Sequence, residues 1–305
     1  MGNLAVGGTG KTPMTEYIVE LLHYKFQTAT LSRGYKRKTQ GFAIAGQSST
    51  ALDIGDEPMQ FHRKFPDLTV AVGEERLVAI PQLLHDRPEI KVIILDDAYQ
   101  HRSVRAGLNI LLTEHQNLFT RDLPVPAGDL RDIKSSSKRA DIIVVTKCRS
   151  NISEEERLSI TMEVSPQQNQ EVFFTEVVYG EAYHLFNLSK NSPGQLMDCL
   201  LVCGIANPRP LMEYVTAKVN SYDMIRFADH HIFSSDDLSD IKNQFKKITS
   251  SNKIVLTTEK DSVRLLKYKN ELEDFPIYVI PIRHRFLFNE AEKFETRILD
   301  FVTKF

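Results

Sequence analysis

The chain has 305 residues, of which 42% are hydrophobic and 26% are charged, and its formal net charge is −2. This length predicts about two domains, and the near-zero charge argues against a general nucleic-acid-binding protein. The three cysteines form no C-x-x-C pair, which is typical of buried thiols in a reducing compartment. No run approaches the roughly 18 apolar residues needed to cross a bilayer, and no signal peptide is recognisable, so a cytoplasmic protein is expected.

Strand and helix patterns alternate along the first part of the chain. Residues 14–26 place their apolar side chains on one helical face. Strands are predicted at 28–32, 69–73, 91–95, 109–113 and 141–146, and a further helix near 75–85. Runs such as KVIIL at 91–95 are apolar throughout, as in strands buried on both faces. The alternation predicts a mostly parallel α/β sheet domain over residues 1–170.

The composition changes after Lys147. Residues 149–170 are polar, and residues 171–190 are rich in β-forming side chains, so we predict a β-ribbon linker there. From Cys199 a new α/β pattern begins with LLVCGI, continues through KIVLTT and ends with IYVIPI, with helices near 209–219, 236–248 and from about 260. This pattern predicts a smaller α/β domain over residues 191–305.

A glycine-rich segment precedes the first predicted helix and contains Gly7, Gly8, Thr9, Gly10, Lys11 and Thr12. Glycines let backbone N–H groups converge on phosphate oxygens, and the helix N-terminus adds positive potential. Lys11 would reach the β- and γ-phosphates of ATP, and the Thr12 hydroxyl would ligate Mg²⁺. Ala5 stands where the usual phosphate-loop pattern has its first glycine. The alternative is a glycine-rich turn that binds nothing.

Asp96 and Asp97 directly follow the apolar run KVIIL. Carboxylates at the carboxyl end of a buried parallel strand lie where such sheets bind ligands, and in a phosphate-loop protein they hold magnesium. Alone, the pair would more often be a turn or a helix cap. With the glycine-rich segment it predicts nucleotide-dependent chemistry without specifying the acceptor. A GTPase or metallochaperone is one alternative, although Val145-Thr146-Lys147 lacks the Asn and Asp of N-K-x-D; a non-catalytic nucleotide-binding remnant is another.

Further motifs follow in a fixed order: GN at 2–3, LSRGY at 31–35, GDEP at 55–58, LDDxxQHR at 95–102, PxGxLR at 126–131, ADHHxF at 228–233 and TEKD at 258–261. With the glycine-rich segment, they resemble the tetraacyldisaccharide 4'-kinase family. The resemblance implies a P-loop NTPase-type sheet domain joined by a β-ribbon to a second, smaller α/β domain. It also implies transfer of the γ-phosphoryl group of ATP, with Mg²⁺, to the 4'-hydroxyl of tetraacyldisaccharide 1-phosphate in lipid A biosynthesis.

The chain departs from the family pattern at three places. Ala98 replaces a glycine, and Asp132 replaces a glutamate. Family members normally carry an apolar, basic helix and then a strand before the loop, whereas only Met1 to Leu4 precede it here, so we expect a truncated chain. Because the acceptor carries four acyl chains, the resemblance implies a peripheral location on the cytoplasmic face of the inner membrane of a Gram-negative bacterium.

The resemblance also assigns roles to individual residues. Asp56 would be the general base that takes the proton of the sugar hydroxyl, and His230, preferred over His231, would orient it. From the local sequence alone, Asp56 would be a helix N-cap and the two histidines a surface pair. The DHH string also names a family of metal phosphoesterases, but that family has no phosphate loop. We expect Asp56 and His230 in different domains, facing each other across a cleft that holds both substrates.

Other candidates contact phosphate or substrate. Arg131 would supply a cation to the transferring phosphoryl group, because a guanidinium suits its equatorial oxygens. Gln100 and His101 would position magnesium-bound water or substrate, with structural packing as the alternative. Arg33 belongs to a basic cluster that would meet the acceptor 1-phosphate or anionic lipid headgroups, or is simply a solvated loop. The segment Thr258–Asp261 would approach the nucleotide base or hold the domains together.

Overall fold

The computed structural model describes residues 1–190 and 197–304. Their contacts divide the chain into two compact units, and neither unit is continuous in sequence. The first comprises Met1–Gln47, Phe61–Val178 and Arg283–Phe305, and the second comprises Ser48–Gln60 and Tyr179–Ile282. The predicted boundaries 1–170, 171–190 and 191–305 give each domain one continuous segment, so they differ from these units mainly at 48–60 and 283–305.

The secondary structure alternates between strands and helices along most of the chain. The strands are β1 (Gly2–Asn3), β2 (Thr28–Ser32), β3 (Ala43–Ile44), β4 (Thr69–Val72), β5 (Val92–Leu95), β6 (Ile110–Glu114), β7 (Ile142–Thr146), β8 (Glu171–Tyr179), β9 (Tyr183–His184), β10 (Asp198–Cys203), β11 (Ser221–Arg226), β12 (Lys253–Thr258), β13 (Ile277–Ile280) and β14 (Ile282–Phe286). The helices are α1 (Lys11–Leu22), α2 (Ala51–Ile54), α3 (Asp56–Lys64), α4 (Arg76–Asp86), α5 (Glu154–Val164), α6 (Arg209–Thr216), α7 (Ser235–Lys247), α8 (Glu259–Leu265), α9 (Lys269–Leu272) and α10 (Ala291–Val302).

The first unit contains two sheets, with strand orders β1-β6-β7-β8-β14 and β3-β4-β2-β5. In the former, β1, β6, β7 and β8 are parallel; in the latter, β2 is parallel to β4 and β5, while β3 is antiparallel to β4. All five residues of β7 are buried, as its apolar run predicts. The predicted mostly parallel α/β class is therefore confirmed.

Aromatic side chains fill part of the core of the first unit. Phe294 on α10 lies 4.5 Å from the Phe286 ring on β14 and 5.3 Å from the Phe173 ring on β8, measured between ring centroids. Phe294 and Ile298, one helical turn apart, are both buried, so they form the inward stripe of α10. Burial of this stripe fixes the C-terminal helix against the strands that also support the phosphate loop.

The described residues of the second unit form a sheet of order β11-β10-β12-β13-β9, in which β9 is antiparallel to β13 and the other neighbouring strands are parallel. Strand β8 lies between β7 and β14 in a sheet of the first unit, whereas β9 is an edge strand in the sheet of the second unit. The two strands therefore do not form the ribbon that was predicted over residues 171–190. In the described ranges, no helix combines the length and the apolar composition that crossing a bilayer requires.

Candidate active site

The glycine-rich segment forms the loop between β1 and α1. Gly10 has φ 83° and immediately precedes α1, and no side chain among residues 1–190 and 197–304 caps the first turn of this helix. Gly7 has φ 113°, and a Cβ placed on Gly7 or Gly8 would meet none of the described atoms within 4 Å. The N–H groups of the first helical turn have no partner within the helix. The loop therefore presents backbone donors and the positive end of a helix dipole, an arrangement suited to phosphate.

Two cations converge on the same two side chains beside this loop. The Lys11 Nζ donates to Asn3 Oδ1 at 3.3 Å and lies 3.7 Å from Asp97 Oδ1. The Arg131 Nη2 donates to the same Asn3 oxygen, and to Asp97 Oδ1 at 3.1 Å. Asn3 is fully buried, and its Nδ2 has no hydrogen-bond partner within residues 1–190 and 197–304. Asn3 and Asp97 thus hold Lys11 and Arg131 together.

The two aspartates after β5 have different surroundings. Burial and the neighbouring Asp97 charge raise the pKa of Asp96, although the Thr15 hydroxyl donates to its Oδ1 at 2.8 Å. Burial also raises the pKa of Asp97, but Lys11 and Arg131 together lower it below its ordinary value. Asp97 is therefore an ionised partner of the two cations, whereas the negative charge on Asp96 is less well compensated.

His284 supports the loop from β14, and no sequence signal marked it. Burial lowers the pKa of His284 to about 4, so its imidazole is neutral at pH 7. The Nε2–H donates to the Gly10 carbonyl at 2.9 Å, and the Thr175 hydroxyl donates to Nδ1 at 2.9 Å. The Thr146 hydroxyl donates to the Thr9 carbonyl at 2.8 Å. Strands β7, β8 and β14 thus fix the loop through its carbonyl groups, and within the loop the Thr9 N–H donates to the Gly7 carbonyl at 3.2 Å.

The second unit brings together Asp56 and His230, which are 174 residues apart in sequence. Gly55, with φ 99°, ends α2, and Asp56 begins α3. The His230 Nδ1–H donates to Asp56 Oδ2 at 2.8 Å. Burial raises the pKa of Asp56, but the hydrogen bonds from His230 and Arg264 lower it by more than burial raises it. The pKa of Asp56 therefore lies below the ordinary value. The two residues belong to one unit, not to different domains as predicted.

The neighbouring His231 makes a different contact. Its Nε2–H donates to Asp237 Oδ2 at 2.9 Å, at the first turn of α7, and its ring stacks on Phe227 with centroids 4.5 Å apart. His231 therefore belongs to the packing around the start of α7, and His230 is the histidine that contacts Asp56.

The remaining candidates of the first unit are arranged around the same strand ends. The Gln100 Nε2 donates to the Asn3 carbonyl, so the amide supports β1. Burial and then the charges of Arg76 and Arg33 lower the pKa of His101. Arg33 is exposed and lines an open cavity of about 710 Å³ together with Tyr35, Lys36 and Arg37.

The segment Thr258–Asp261 has a structural role within the second unit. The Asp261 N–H donates to the Thr258 hydroxyl at 3.1 Å, which caps α8. The Asp261 carboxylate accepts from the Gly204 N–H at 2.9 Å, and Glu259 accepts from the Ile282 N–H at 3.1 Å. These contacts tie the beginning of α8 to the end of β10 and to the first residue of β14.

Comparison with known proteins identifies the relatives of this chain. Residues 1–303 match the family LpxK, tetraacyldisaccharide-1-P 4'-kinase. A tetraacyldisaccharide 4'-kinase of Bacteroides thetaiotaomicron is 41% identical, with 99% of this chain and 83% of the relative covered. The enzyme of the same name from Flavobacterium johnsoniae is 42% identical, with 99% and 86% covered.

A solved structure extends the likeness to three dimensions. It is the "apo" form of LpxK from Aquifex aeolicus in complex with ATP, with a TM-score of 0.73, 25% identity, and 99% of this chain and 87% of that chain covered. Sequence and structure agree along nearly the whole chain. The chain therefore belongs to the tetraacyldisaccharide 4'-kinase family.

Proposed function

We propose that this protein transfers the γ-phosphoryl group of ATP to the 4'-hydroxyl of a tetraacylated glucosamine disaccharide 1-phosphate, a step of lipid A biosynthesis. The observation that carries the proposal is the convergence of Lys11 and Arg131 beside a glycine loop at the N-terminus of α1. The curated relatives carry the name of this activity, and the solved relative was crystallised with ATP.

The first unit supplies the groups that bind and polarise the triphosphate. Backbone N–H groups of residues 7–12 would cradle the phosphates, and Lys11 would contact the β- and γ-phosphate oxygens. Arg131 would balance the charge of the transferring group. Lys11 and Arg131 both contact Asp97, which orients the two cations. The phosphate oxygens of ATP would compete with this carboxylate for the two cations.

Magnesium fits the oxygen groups at the end of β5. Magnesium in nucleotide sites is usually held by one or two carboxylates together with phosphate oxygens and water. Asp96 and Asp97 would supply the carboxylates. Burial and then the charge of Asp97 raise the pKa of Asp96, and a bound cation would stabilise its ionised form. Thr12, in the first turn of α1, adds a hydroxyl. When bound, the ion would neutralise charge that develops on the phosphate oxygens.

The acceptor hydroxyl needs a group that removes its proton. The hydroxyl oxygen forms a bond to the γ-phosphorus, the bond from that phosphorus to the bridging oxygen of ADP breaks, and the proton passes to the Asp56–His230 pair. Asp56 is only 2% exposed and ionised, and His230 holds its carboxylate at 2.8 Å. We assign proton acceptance to the two residues as a unit, because a shared hydrogen bond couples their protonation.

The acceptor is a lipid, so the protein must reach a membrane surface, and we place it on the cytoplasmic face of the inner membrane. The loop that carries Arg33, Lys36 and Lys38 is exposed and basic. Arg33 and Lys36 line the cavity described above together with the half-exposed Tyr35 and Val78, whereas Lys38 lies outside that lining. Basic side chains attract anionic headgroups, and exposed apolar groups bury themselves in the interface.

Sedimentation with vesicles tests the membrane contact. Wild type should bind phosphatidylglycerol vesicles more strongly than phosphatidylcholine vesicles, and binding should weaken at high salt. A triple variant, Arg33→Glu, Lys36→Glu and Lys38→Glu, should lose most of this binding. A control with Lys246→Glu and Lys247→Glu, exposed on α7, should retain it. Equal binding by the two variants would contradict the assignment of this loop.

An acceptor panel tests the function itself. The protein is incubated with ATP and Mg²⁺ together with the tetraacyldisaccharide 1-phosphate, its 4'-deoxy analogue, or glucosamine alone, and products are analysed by mass spectrometry. We expect a gain of one phosphate only on the first acceptor, with fragmentation that places it on the distal sugar. GTP replaces ATP in a parallel arm. Phosphorylation of the 4'-deoxy analogue, or preference for GTP, would contradict the proposal.

A further inference from the structure

Arg264 lies on α8 and contacts both members of the Asp56–His230 pair. Its Nε donates to Asp56 Oδ1 at 2.6 Å, and its Nη2 donates to Asp56 Oδ2 at 2.7 Å. Its Nη1 donates to the main-chain carbonyl of His230. The first two bonds form a bidentate fork, which fixes the plane of a carboxylate as well as its position. The Arg264 side chain is 11% exposed, so water screens this contact little.

The fork, together with the hydrogen bond from His230, keeps Asp56 charged. A carboxyl with 2% exposure and no cation would be protonated more readily, because burial disfavours the charged form. The pKa of Asp56 instead lies below its ordinary value, after the burial contribution is outweighed by His230 and Arg264. Each carboxylate oxygen already accepts a bond from Arg264, so the carboxylate cannot rotate away from His230.

The third bond acts on the main chain of His230. His230 has φ 61°, in the left-handed region that non-glycine residues seldom adopt. Such a conformation is strained and persists when surrounding contacts hold it. The bond from Arg264 to the His230 carbonyl is one such contact. The same guanidinium therefore orients the carboxylate and the backbone that carries the imidazole.

Helix α8 is fixed before it reaches Arg264. Thr258 and Asp261 cap its first turn, and Asp261 is tied to Gly204. Arg264 follows Asp261 by three residues, so it lies about one turn further along the helix. The TEKD segment thus anchors a helix whose last turn carries the cation of the pair. The TEKD motif therefore has a structural role within the second unit.

Other charged groups surround the pair. Asp229 Oδ2 lies 3.9 Å from His230 Nε2, and Lys260 Nζ lies 2.7 Å from Asp229 Oδ1. Asp261 and Asp56 repel each other, as the raised pKa of Asp261 reflects, although burial is its larger cause. Of these groups, Arg264 is the cation that bonds directly to Asp56.

We propose that Arg264 is a positioning residue for the Asp56–His230 pair, holding the carboxylate plane and the His230 main chain and setting the pH at which the pair stops accepting a proton. The inference rests on the proposed kinase function. In this role Arg264 takes no proton and acts through Asp56 and His230. Removing Arg264 should make the Asp56–His230 pair protonate at higher pH. The acid limb of the pH profile, the range in which kcat/KM falls as the pH is lowered, should therefore shift to higher pH.

The variants Arg264→Ala and Arg264→Lys test this inference, with Lys246→Ala, on the exposed face of α7, as the control. At pH 7, Arg264→Ala should lower kcat by about 100-fold with little change in the KM for ATP, and its acid limb should rise by about one pH unit. Arg264→Lys keeps the charge but not the fork, so it should lose about tenfold in kcat with a smaller limb shift. Lys246→Ala should match wild type.

A second measurement is independent of turnover. The Cε1–H signal of His230, assigned by its loss in His230→Gln, is titrated by NMR in wild type and in Arg264→Lys, which also serves if Arg264→Ala does not fold. We expect the titration midpoint of this signal to rise in the variant. Asp56 then lacks the bidentate contact with the guanidinium, so the Asp56–His230 pair should take up a proton at higher pH. An unchanged midpoint together with an unmoved acid limb would overturn the inference, even if kcat fell. Absence of acceptor phosphorylation by wild type would contradict the proposed function, while the NMR arm would still decide the role of Arg264.

Discussion

Asp96 and Asp97 are adjacent in sequence, yet their surroundings shift their pKa values in opposite directions. Because the pKa of Asp96 is raised, this group gains a proton at a higher pH than an ordinary aspartate, and a protonated carboxyl is a poor magnesium ligand. The Mg²⁺ concentration for half-maximal rate should therefore increase as the pH is lowered into the acidic range.

The variant Asp96→Asn tests this assignment. It should require at least about tenfold more Mg²⁺ at pH 8, since one anionic ligand is lost, and its Mg²⁺ requirement should depend less on pH. Asp86→Asn, at the exposed end of α4, is the control for loss of one negative charge. Magnesium titrations of the initial rate at each pH measure the effect. A wild-type Mg²⁺ requirement in Asp96→Asn would show that this carboxylate does not hold the ion.

Asp56 and His230 should behave as one catalytic unit, because one hydrogen bond at 2.8 Å joins them. Asp56→Asn and His230→Gln should each lower kcat by about 100-fold or more, and the double variant should be little worse than the worse single variant. His231→Gln should stay within about threefold of wild type, since its partner is Asp237. Steady-state rates with saturating ATP measure all four variants. Losses that multiply in the double variant would mean that the two residues act separately.

At the level of elements, β14 acts on the phosphate loop through His284. The unfolded histidine has an ordinary pKa of 6.5 and the folded one a pKa of about 4, so the unfolded state binds the proton first as the pH falls. The neutral His284 therefore contributes about 3 kcal/mol to the free energy of unfolding. This contribution is complete above pH 6.5 and is lost as the pH falls towards 4. Between pH 7 and pH 5 the loss should be about 2 kcal/mol.

His284→Gln separates this effect from other titrations. Glutamine can donate to the Gly10 carbonyl and accept from Thr175, but it does not titrate. Urea unfolding at pH 7, 6 and 5 should therefore show a smaller loss of unfolding free energy in the variant than in wild type. His85→Gln, an exposed histidine on α4, should follow wild type. Parallel curves for His284→Gln and wild type would contradict the neutral, loop-supporting histidine.

Several elements could be predicted from local sequence because their pattern carries the information. The apolar run of β7 and the amphipathic face of α1 each reflect burial that the element itself requires. The run KVIIL correctly predicts the strand β5 but wrongly predicts burial on both faces, because β5 lies at the edge of its sheet and only Ile94 in it is buried. His284 could not be found this way, since its segment IRHRF carries only an alternating strand pattern and its partners lie in distant elements. The role of TEKD could not be decided either, because its partner Gly204 is 57 residues away.

At the scale of the whole molecule, the chain crosses between its two units more than once. Residues 48–60 leave the first unit and join the second, and residues 283–305 return to the first. Composition changes mark only continuous boundaries, so sequence patterns could not assign the helix start that carries Asp56. The family motifs named the Asp56–His230 pair, whereas Arg264 follows the last of those motifs and became visible only through its three contacts.

If the glycine loop and the Asp56–His230 pair serve one phosphoryl transfer, a change in either should abolish the transfer, but only a change in the loop should weaken ATP binding. Transfer of ³²P from [γ-³²P]ATP to tetraacyldisaccharide 1-phosphate is followed for wild type, Lys11→Ala, Asp56→Ala and the control Lys25→Ala, while ATP affinity is measured by equilibrium dialysis on the same samples. We expect Lys11→Ala to lose transfer and to bind ATP more weakly. Asp56→Ala should lose transfer by about 100-fold or more while binding ATP like wild type, and Lys25→Ala should be unchanged. Wild-type transfer by either folded Lys11→Ala or folded Asp56→Ala would contradict the account.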